Sequence, residues 1–193
     1  MSIIIQNNSE RFFSQLCSHY YLRGFVFHSP RIDAPTEIEL GDVLIWLRTK
    51  TINFELIWRD PLAPPKLTSF IKSIGKKRDQ LKRDYQLFSS LTEPIKLRNE
   101  YGRYLYLRPD DFKPKNYFGV VLIDSQDNDI KLHYSTLKKS IELPFVCNFI
   151  SFQGLESILN ELDTISDLGY YLHDRAEFSK HLLAHYPNTA LMV

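Results

Sequence analysis

Apolar residues return at helical spacing near both ends of the chain and over 67–90, and in strand-like runs between these segments. Phe12, Phe13, Leu16, Cys17 and Tyr20 fall three or four apart. That spacing predicts a helix over 9–22, with Ser9 as N-cap and Gly24 as stop signal. Phe25 to Phe27 is a short apolar run, which His28-Ser29-Pro30 breaks. Two strands follow, Gly41–Leu47 and Thr51–Trp58, and Arg48-Thr49-Lys50 between them has the length of a hairpin loop. Pro61-Leu62-Ala63-Pro64-Pro65 reads as a connector, because prolines remove ladder donors. Over 67–90, Ile71, Ile74, Leu81, Tyr85 and Phe88 keep a three-four alternation, and Arg78 holds the one stripe position that is not apolar. Gly75 weakens this helix locally and Pro94 ends it. Ile95–Leu97, Tyr104–Leu107, Tyr117–Ile123 and Phe145–Phe152 read as strands, and the polar run 124–129 as a turn. Helices are expected over 154–162 and 166–185, the second opened by Ser166 or Asp167. Asp163–Asp167 reads as a turn and N-cap, where aspartates meet the helix dipole favourably. This order predicts a layered α/β or α+β fold, one domain over 1–193 with a helical C-terminal element at about 154–185.

Composition narrows the classes. The 193 residues are 44% hydrophobic and 24% charged, which suits a globule with a sizeable core. Lys and Arg number 24 against 23 Asp and Glu, so the chain as a whole is no polyanion binder. The charge is uneven, however. Between Lys66 and Arg83 stand seven basic residues and one acid, Asp79. Phosphate contacts need such local density. A solvated helix face is the other meaning of a lysine run. Two distant cysteines, Cys17 and Cys147, form no disulfide framework and no zinc pattern, and they read as buried free thiols in a reducing compartment. No signal peptide is visible and no run approaches the ~18 apolar residues of a membrane span, so a cytoplasmic protein without membrane partners is expected.

Several chemistries lack their motifs. There is no Gly-rich phosphate loop and no Gly-x-Ser-x-Gly elbow. His181 and His185 make an i, i+4 pair without the glutamate of a zinc-protease helix. Tyr101-Gly102-Arg103-Tyr104-Leu105-Tyr106 reads either as a stacking platform for unpaired bases or as one face of an ordinary strand.

The acids around the first two strands are the sharpest signal. Glu39 and Asp42 stand at the start of one strand and Glu55 in the middle of the next. A carboxylate inside an apolar strand is costly unless it is paired, protonated or bound to a cation. In a hairpin, Asp42 and Glu55 can lie close on one face. Two carboxylates converging with a backbone carbonyl suit Mg2+, which can activate water and offset charge at a phosphodiester. Periodicity alone favours a plainer arrangement, in which Glu39 and Asp42 cap the strand and Glu55 points to solvent. Alternation puts Glu55, Ile57 and Arg59 on one face, and Phe54, Leu56 and Trp58 on the other, more deeply buried one.

A resemblance joins these pieces. Ser9-Glu10…Leu16-Cys17…Ser29-Pro30…Glu39-Leu40-Gly41-Asp42-Val43-Leu44-Ile45…Phe54-Glu55-Leu56-Ile57 resembles the N-terminal half of bacterial PD-(D/E)XK, or restriction-endonuclease-like, nucleases. The nearer likeness is to a subgroup with a helical glutamate, then Glu-Leu-Cys-Asp and three hydrophobic residues, a hairpin, and a strand ending in (Ser/Gln/Glu)-x-Lys. Lys77-Arg78-Asp79-Gln80-Leu81-Lys82-Arg83-Asp84-Tyr85 is similar to that subgroup's Gln-bearing helix, and 159–172 to its tail. The likeness covers most of the chain through short motifs.

The resemblance implies a central mixed sheet flanked by helices and a Mg2+-dependent (or Mn2+-dependent) nuclease acting on nucleic acid, DNA first, in bacterial phage or genome defence. It implies Asp42 as central metal ligand, Glu55 as second carboxylate, Glu10 as supporting acid on the first helix, Glu39 as the acid preceding the motif, and Gln80 near the site. With Gln80, the basic residues Lys76, Lys77, Arg78, Lys82 and Arg83 would contact nucleic acid. Nucleases that cut both strands are commonly homodimers, but no segment here identifies an interface.

One position departs from the pattern. The motif lysine, two residues after Glu55, is Ile57. Isoleucine can neither orient water nor offset phosphate charge. Arg59 on the same strand face, Lys50 in the hairpin and Arg78 on the helix stripe are the replacement cations the residues offer. Arginine stays charged, so it can clamp a phosphate but is a poor proton acceptor. The alternative is a catalytically inactive nuclease-fold module that binds DNA or a protein partner within a larger defence assembly. A plainer one is a basic helix that binds an acidic protein. Whether the chain is an enzyme stays open at this level.

Overall fold

The computed structural model describes residues 10, 13–14, 16–19, 21–32, 38–58, 67–98, 104–123, 131–132, 134–186 and 191–192. The strands are β1 (Val26–His28), β2 (Arg31–Ile32), β3 (Ile38–Glu39), β4 (Val43–Leu47), β5 (Lys50–Ile57), β6 (Ile95–Arg98), β7 (Tyr104–Leu107), β8 (Tyr117–Ile123), β9 (Lys131–Leu132), β10 (Val146–Ser151) and β11 (Leu191–Met192). The helices are α1 (Leu67–Ser89), α2 (Tyr134–Ile141), α3 (Phe152–Glu161) and α4 (Ile165–His185). Residues 10, 13–14 and 16–17 are also helical.

The β-branched and aromatic runs assemble a five-stranded sheet in the order β1-β4-β5-β8-β10. β1, β4 and β5 are antiparallel neighbours, with Val43 opposite Phe54. β5, β8 and β10 are parallel, with Glu55 opposite Val121. Parallel neighbours need a crossover, and α1 lies in the long connection between β5 and β8. Among the described residues there are also three two-stranded ribbons, β2-β3, β6-β7 and β9-β11. This is a mixed α/β fold whose sheet is flanked by helices, as expected. Among the described residues no helix is long and apolar enough to cross a membrane.

Helices cover both faces of the sheet. On one side Ile74, Leu81 and Phe88 of α1 pack with Leu44, Trp46, Ile57 and Val121, and with Leu97 and Leu107 of the β6-β7 ribbon. On the other, Phe13 and Cys17 join Leu155 and Leu159 of α3 and Leu168 and Leu172 of α4 over Ile52, Phe54 and Leu56. A strand covered on both faces shows no solvent side. The expected solvent-facing position of Glu55 is therefore corrected: its exposure is 0%.

Some boundaries move. The first helix, expected to reach residue 22, gives way to turns from Ser18, where Leu22 N–H bonds to His19 O and Phe25 N–H to Leu22 O. The hairpin loop is only Arg48-Thr49, with Arg48 at φ 39°. Thr164, not Ser166 or Asp167, caps α4: its Oγ1 accepts from Asp167 N–H at 3.2 Å and donates to the Asp167 carboxylate at 2.6 Å. α2 has no counterpart in the periodicity reading. The turn at 124–129, Ser9 and Arg59 lie outside the described residues. Both cysteines are free, Cys17 buried and Cys147 half-buried. Burial pushes the Cys17 thiol well up and the Cys147 thiol up to about 12.

Candidate active site

The site begins at a turn only glycine fits comfortably. Gly41 has φ +67°, and a Cβ there would drive into the Asn53 amide. This turn delivers Asp42 to the head of β4, where Asp42 N–H bonds to Phe54 O at 3.0 Å. The neighbouring strand then fixes the side chain: Leu56 N–H donates to Asp42 Oδ2 at 2.6 Å. On β5, Asn53, Glu55 and Ile57 alternate toward α1, while Phe54 and Leu56 enter the opposite core.

α1 supplies the cation. Its sheet-facing line runs Ile74, Lys77, Leu81, Asp84, Phe88 at three- and four-residue steps. Lys77 Nζ lies 2.8 Å from Asp42 Oδ2 and 2.8 Å from Glu55 Oε2. Its aliphatic stem crosses apolar ground while its ammonium closes the gap between two acids. Ile57, by contrast, is 5% exposed and part of the apolar core.

Two turns further along α1 lies a second buried polar group. Asn53 Nδ2 donates to Asp84 Oδ2 at 2.7 Å and approaches Tyr117 Oη at 3.1 Å. Tyr117 Oη donates to Leu81 O at 3.2 Å. Buried polar networks of this kind are costly unless partnered. Among the described residues, two atoms of this network have no hydrogen-bond partner, Asn53 Oδ1 and Glu55 Oε1.

The electrostatics follow from burial. Desolvation pushes the Glu55 carboxyl up to about 9; Asp42 adds to the rise, and Lys77 opposes it. Asp84 is pushed up to about 7, again chiefly by burial, against its hydrogen bond from Asn53. Burial works against the Lys77 ammonium, but Glu55, Asp42 and their hydrogen bonds outweigh it and the net shift is upward. At neutral pH the Lys77 ammonium thus donates to both acids, and the Glu55 carboxyl keeps its proton.

The other expected residues are spread more widely. Glu10 Oε2 lies 3.6 Å from His28 Nε2, on the strand residue opposite Val43. Glu39 is on β3, opposite Arg31, and its side chain lies outside the described ones. Gln80 is half-buried on α1; Lys76, Lys82 and Arg83 are exposed along it. Arg78, expected on the stripe, turns to Asp79 at 2.7 Å. Lys50, another candidate cation, stands 4.4 Å from the centre of the Tyr170 ring and donates to Ser166 O. The residues that periodicity did not single out for the site are Lys77 as its cation, Asn53 and Asp84. Lys77 and Asp84 carry a readable signal, since each continues the line of Ile74, Leu81 and Phe88.

Among the described residues no three His, Cys, Asp or Glu side chains gather as a metal-holding group. The Asp42 and Glu55 pair is nonetheless a hard-oxygen donor set, and Mg2+ is commonly held by one or two carboxylates with water and phosphate completing its shell. Glu55 Oε1, buried and without a hydrogen-bond partner among the described residues, fits such an ion once the carboxyl gives up its proton. Searches of family models, curated proteins and solved structures found no match to the chain.

Proposed function

We propose that the chain is a restriction-endonuclease-like nuclease, a Mg2+-dependent phosphodiesterase acting on nucleic acid, with Lys77 in place of the lysine that Ile57 lacks. The observation that carries this reading is the 2.8 Å approach of Lys77 Nζ to both Asp42 and Glu55. The strand order and directions, with an acid before β4 and another within β5, support the fold assignment.

Asp42 and Glu55 hold the cation, which when bound lowers the pKa of water and offsets charge at phosphorus. The Gly41 turn and the Leu56 N–H keep Asp42 aimed at the site. Lys77 stays an ammonium, so it stabilises developing negative charge at the phosphate and is not a proton acceptor. Lys76, Lys82 and Arg83 hold flanking phosphates along α1, which makes binding salt-sensitive. DNA in a bacterial defence setting is the substrate the resemblance implies.

A second reading keeps the fold and drops catalysis. It is favoured by the closure of the site, since Lys77 bridges both acids. In that case the chain binds nucleic acid or a protein partner without cutting. The test is cleavage of single-stranded, nicked and duplex DNA and of RNA, with Mg2+ or Mn2+, by the wild type, Asp42→Ala and Lys77→Met. Metal-dependent cleavage lost in both variants is expected. No cleavage by the wild type, with salt-sensitive binding retained, would select the second reading.

A further inference from the structure

The far end of β4 carries a second concave site. Phe25, Trp46, Arg48, Tyr104, Tyr106 and Arg108 border a cleft of about 460 Å³. It lies five residues along β4 from Asp42, roughly 17 Å at strand rise, and on the same side of the sheet, because Asp42, Leu44 and Trp46 alternate together. That volume falls in the range of small-ligand sites.

The β6-β7 ribbon makes one wall in an unusual way. Its inner face, Leu97 and Leu107, is buried as any amphipathic ribbon requires. Its outer face should be polar, yet it presents Tyr104 at 52% and Tyr106 at 60% exposure. Lys96 Nζ stands 3.9 Å from the Tyr104 ring centre, which holds that ring and adds positive charge. Phe25 is 38% exposed across the cleft. Arg108 is exposed; Arg48 is exposed too and only loosely associated with Asp111, at 3.9 Å. The lining thus combines flat aromatic surface with two guanidinium groups and one carboxylate, Asp111.

We propose that this cleft binds a nucleotide: its base stacks on Tyr104 and Tyr106, and its phosphate is held by Arg108 and Arg48. Every base has a π-face, so such stacking tolerates sequence. Guanidinium groups match phosphate geometry. A purely apolar ligand would leave the guanidinium groups unused. The same chemistry is offered by a free mononucleotide and by an unpaired nucleotide within a strand. The proposal does not depend on catalysis at the carboxylates.

The test is a titration without divalent cation, so that it reads the cleft whether or not the carboxylate site cuts. The probes are a single-stranded oligonucleotide with one 2-aminopurine, a blunt duplex of the same sequence, and adenosine 5′-monophosphate. Quenching of the 2-aminopurine is expected. Tyr104→Ala and Tyr106→Ala should each weaken binding roughly fivefold to hundredfold, whereas Tyr106→Phe, which keeps the ring, should bind like the wild type. Competition by the mononucleotide would identify a free nucleotide as ligand. Quenching without such competition would identify an unpaired nucleotide of a strand. If neither ligand binds, or if both alanine variants bind like the wild type while melting at its temperature, the proposal is overturned.

Discussion

The two faces of the central sheet are built from the same strands and do different work. Toward α3 and α4, β5 presents Ile52, Phe54 and Leu56 to a largely apolar core, where buried Asn148 is satisfied by Leu172 O. Toward α1, the same strand presents Asn53 and Glu55, and a buried polar line of Asp42, Lys77, Asp84 and Tyr117 meets them. The first face is what hydrophobic burial selects. The second gives up apolar contact and takes on desolvated charge, which folding alone does not reward. Such a cost, gathered on the face toward α1, is what the proposed chemistry would account for.

The largest expected effect belongs to the apolar face. Phe54→Ala removes a ring 4.9 Å from that of Phe13 and should lower the unfolding free energy by about 3–5 kcal/mol, measured by urea denaturation. A loss well under 1 kcal/mol would mean that the two faces do not divide as described. On the α1 face, Lys77→Met should slow metal-dependent cleavage by about 10²–10³-fold. Unchanged rates in that variant would remove Lys77 from the chemistry.

Asp84 sharpens the contrast through pH. The folded protein holds this proton up to about pH 7, whereas the group's ordinary value is 3.8. Its contribution to stability is therefore complete below that ordinary value, and it is lost as pH rises toward 7. The wild type should lose at most about 1.4 kcal/mol per pH unit in that window from this group. Asp84→Asn should lack that slope, and parallel melting curves of the two proteins across pH 4–8 would refute it.

The smallest stability effect is expected where the functional effect is large. Glu55→Gln removes an acid whose charge is costly to bury, so its melting temperature should match or exceed the wild type's. Mg2+ should raise the wild-type melting temperature and leave that of Glu55→Gln unmoved. Because the cation must displace the Glu55 proton, wild-type Mg2+ affinity should climb with pH toward about 9. A flat profile would break the link between burial and metal binding.

Much of the frame was legible in the residues. The β4-β5 hairpin, α1, β8, β10 and α4 follow from strong periodicity and local stop signals. The pairing of Asp42 with Glu55 was readable as a costly arrangement in need of a cation. The identity of that cation was not. A helix of 3.6 residues per turn puts Lys77 and Arg78 on neighbouring edges of one stripe, and the stripe pattern pointed to Arg78. Which one reaches the acids depends on how α1 is rotated against the sheet. Asn53 was equally hidden, because a single polar residue in a strand looks like ordinary alternation.

The sequence by itself determined most of the long elements, the mixed α/β class and the local basic density of α1, because these depend on neighbours within a few residues. Only the tertiary structure decided that both faces of β5 are buried and that Lys77 lies between Asp42 and Glu55. It also set Tyr104 and Tyr106 around one cleft with Phe25 and Arg48. These are contacts between residues far apart in the chain. Burial and charge pairing act through space, so their outcome is set by packing and not by spacing along the backbone.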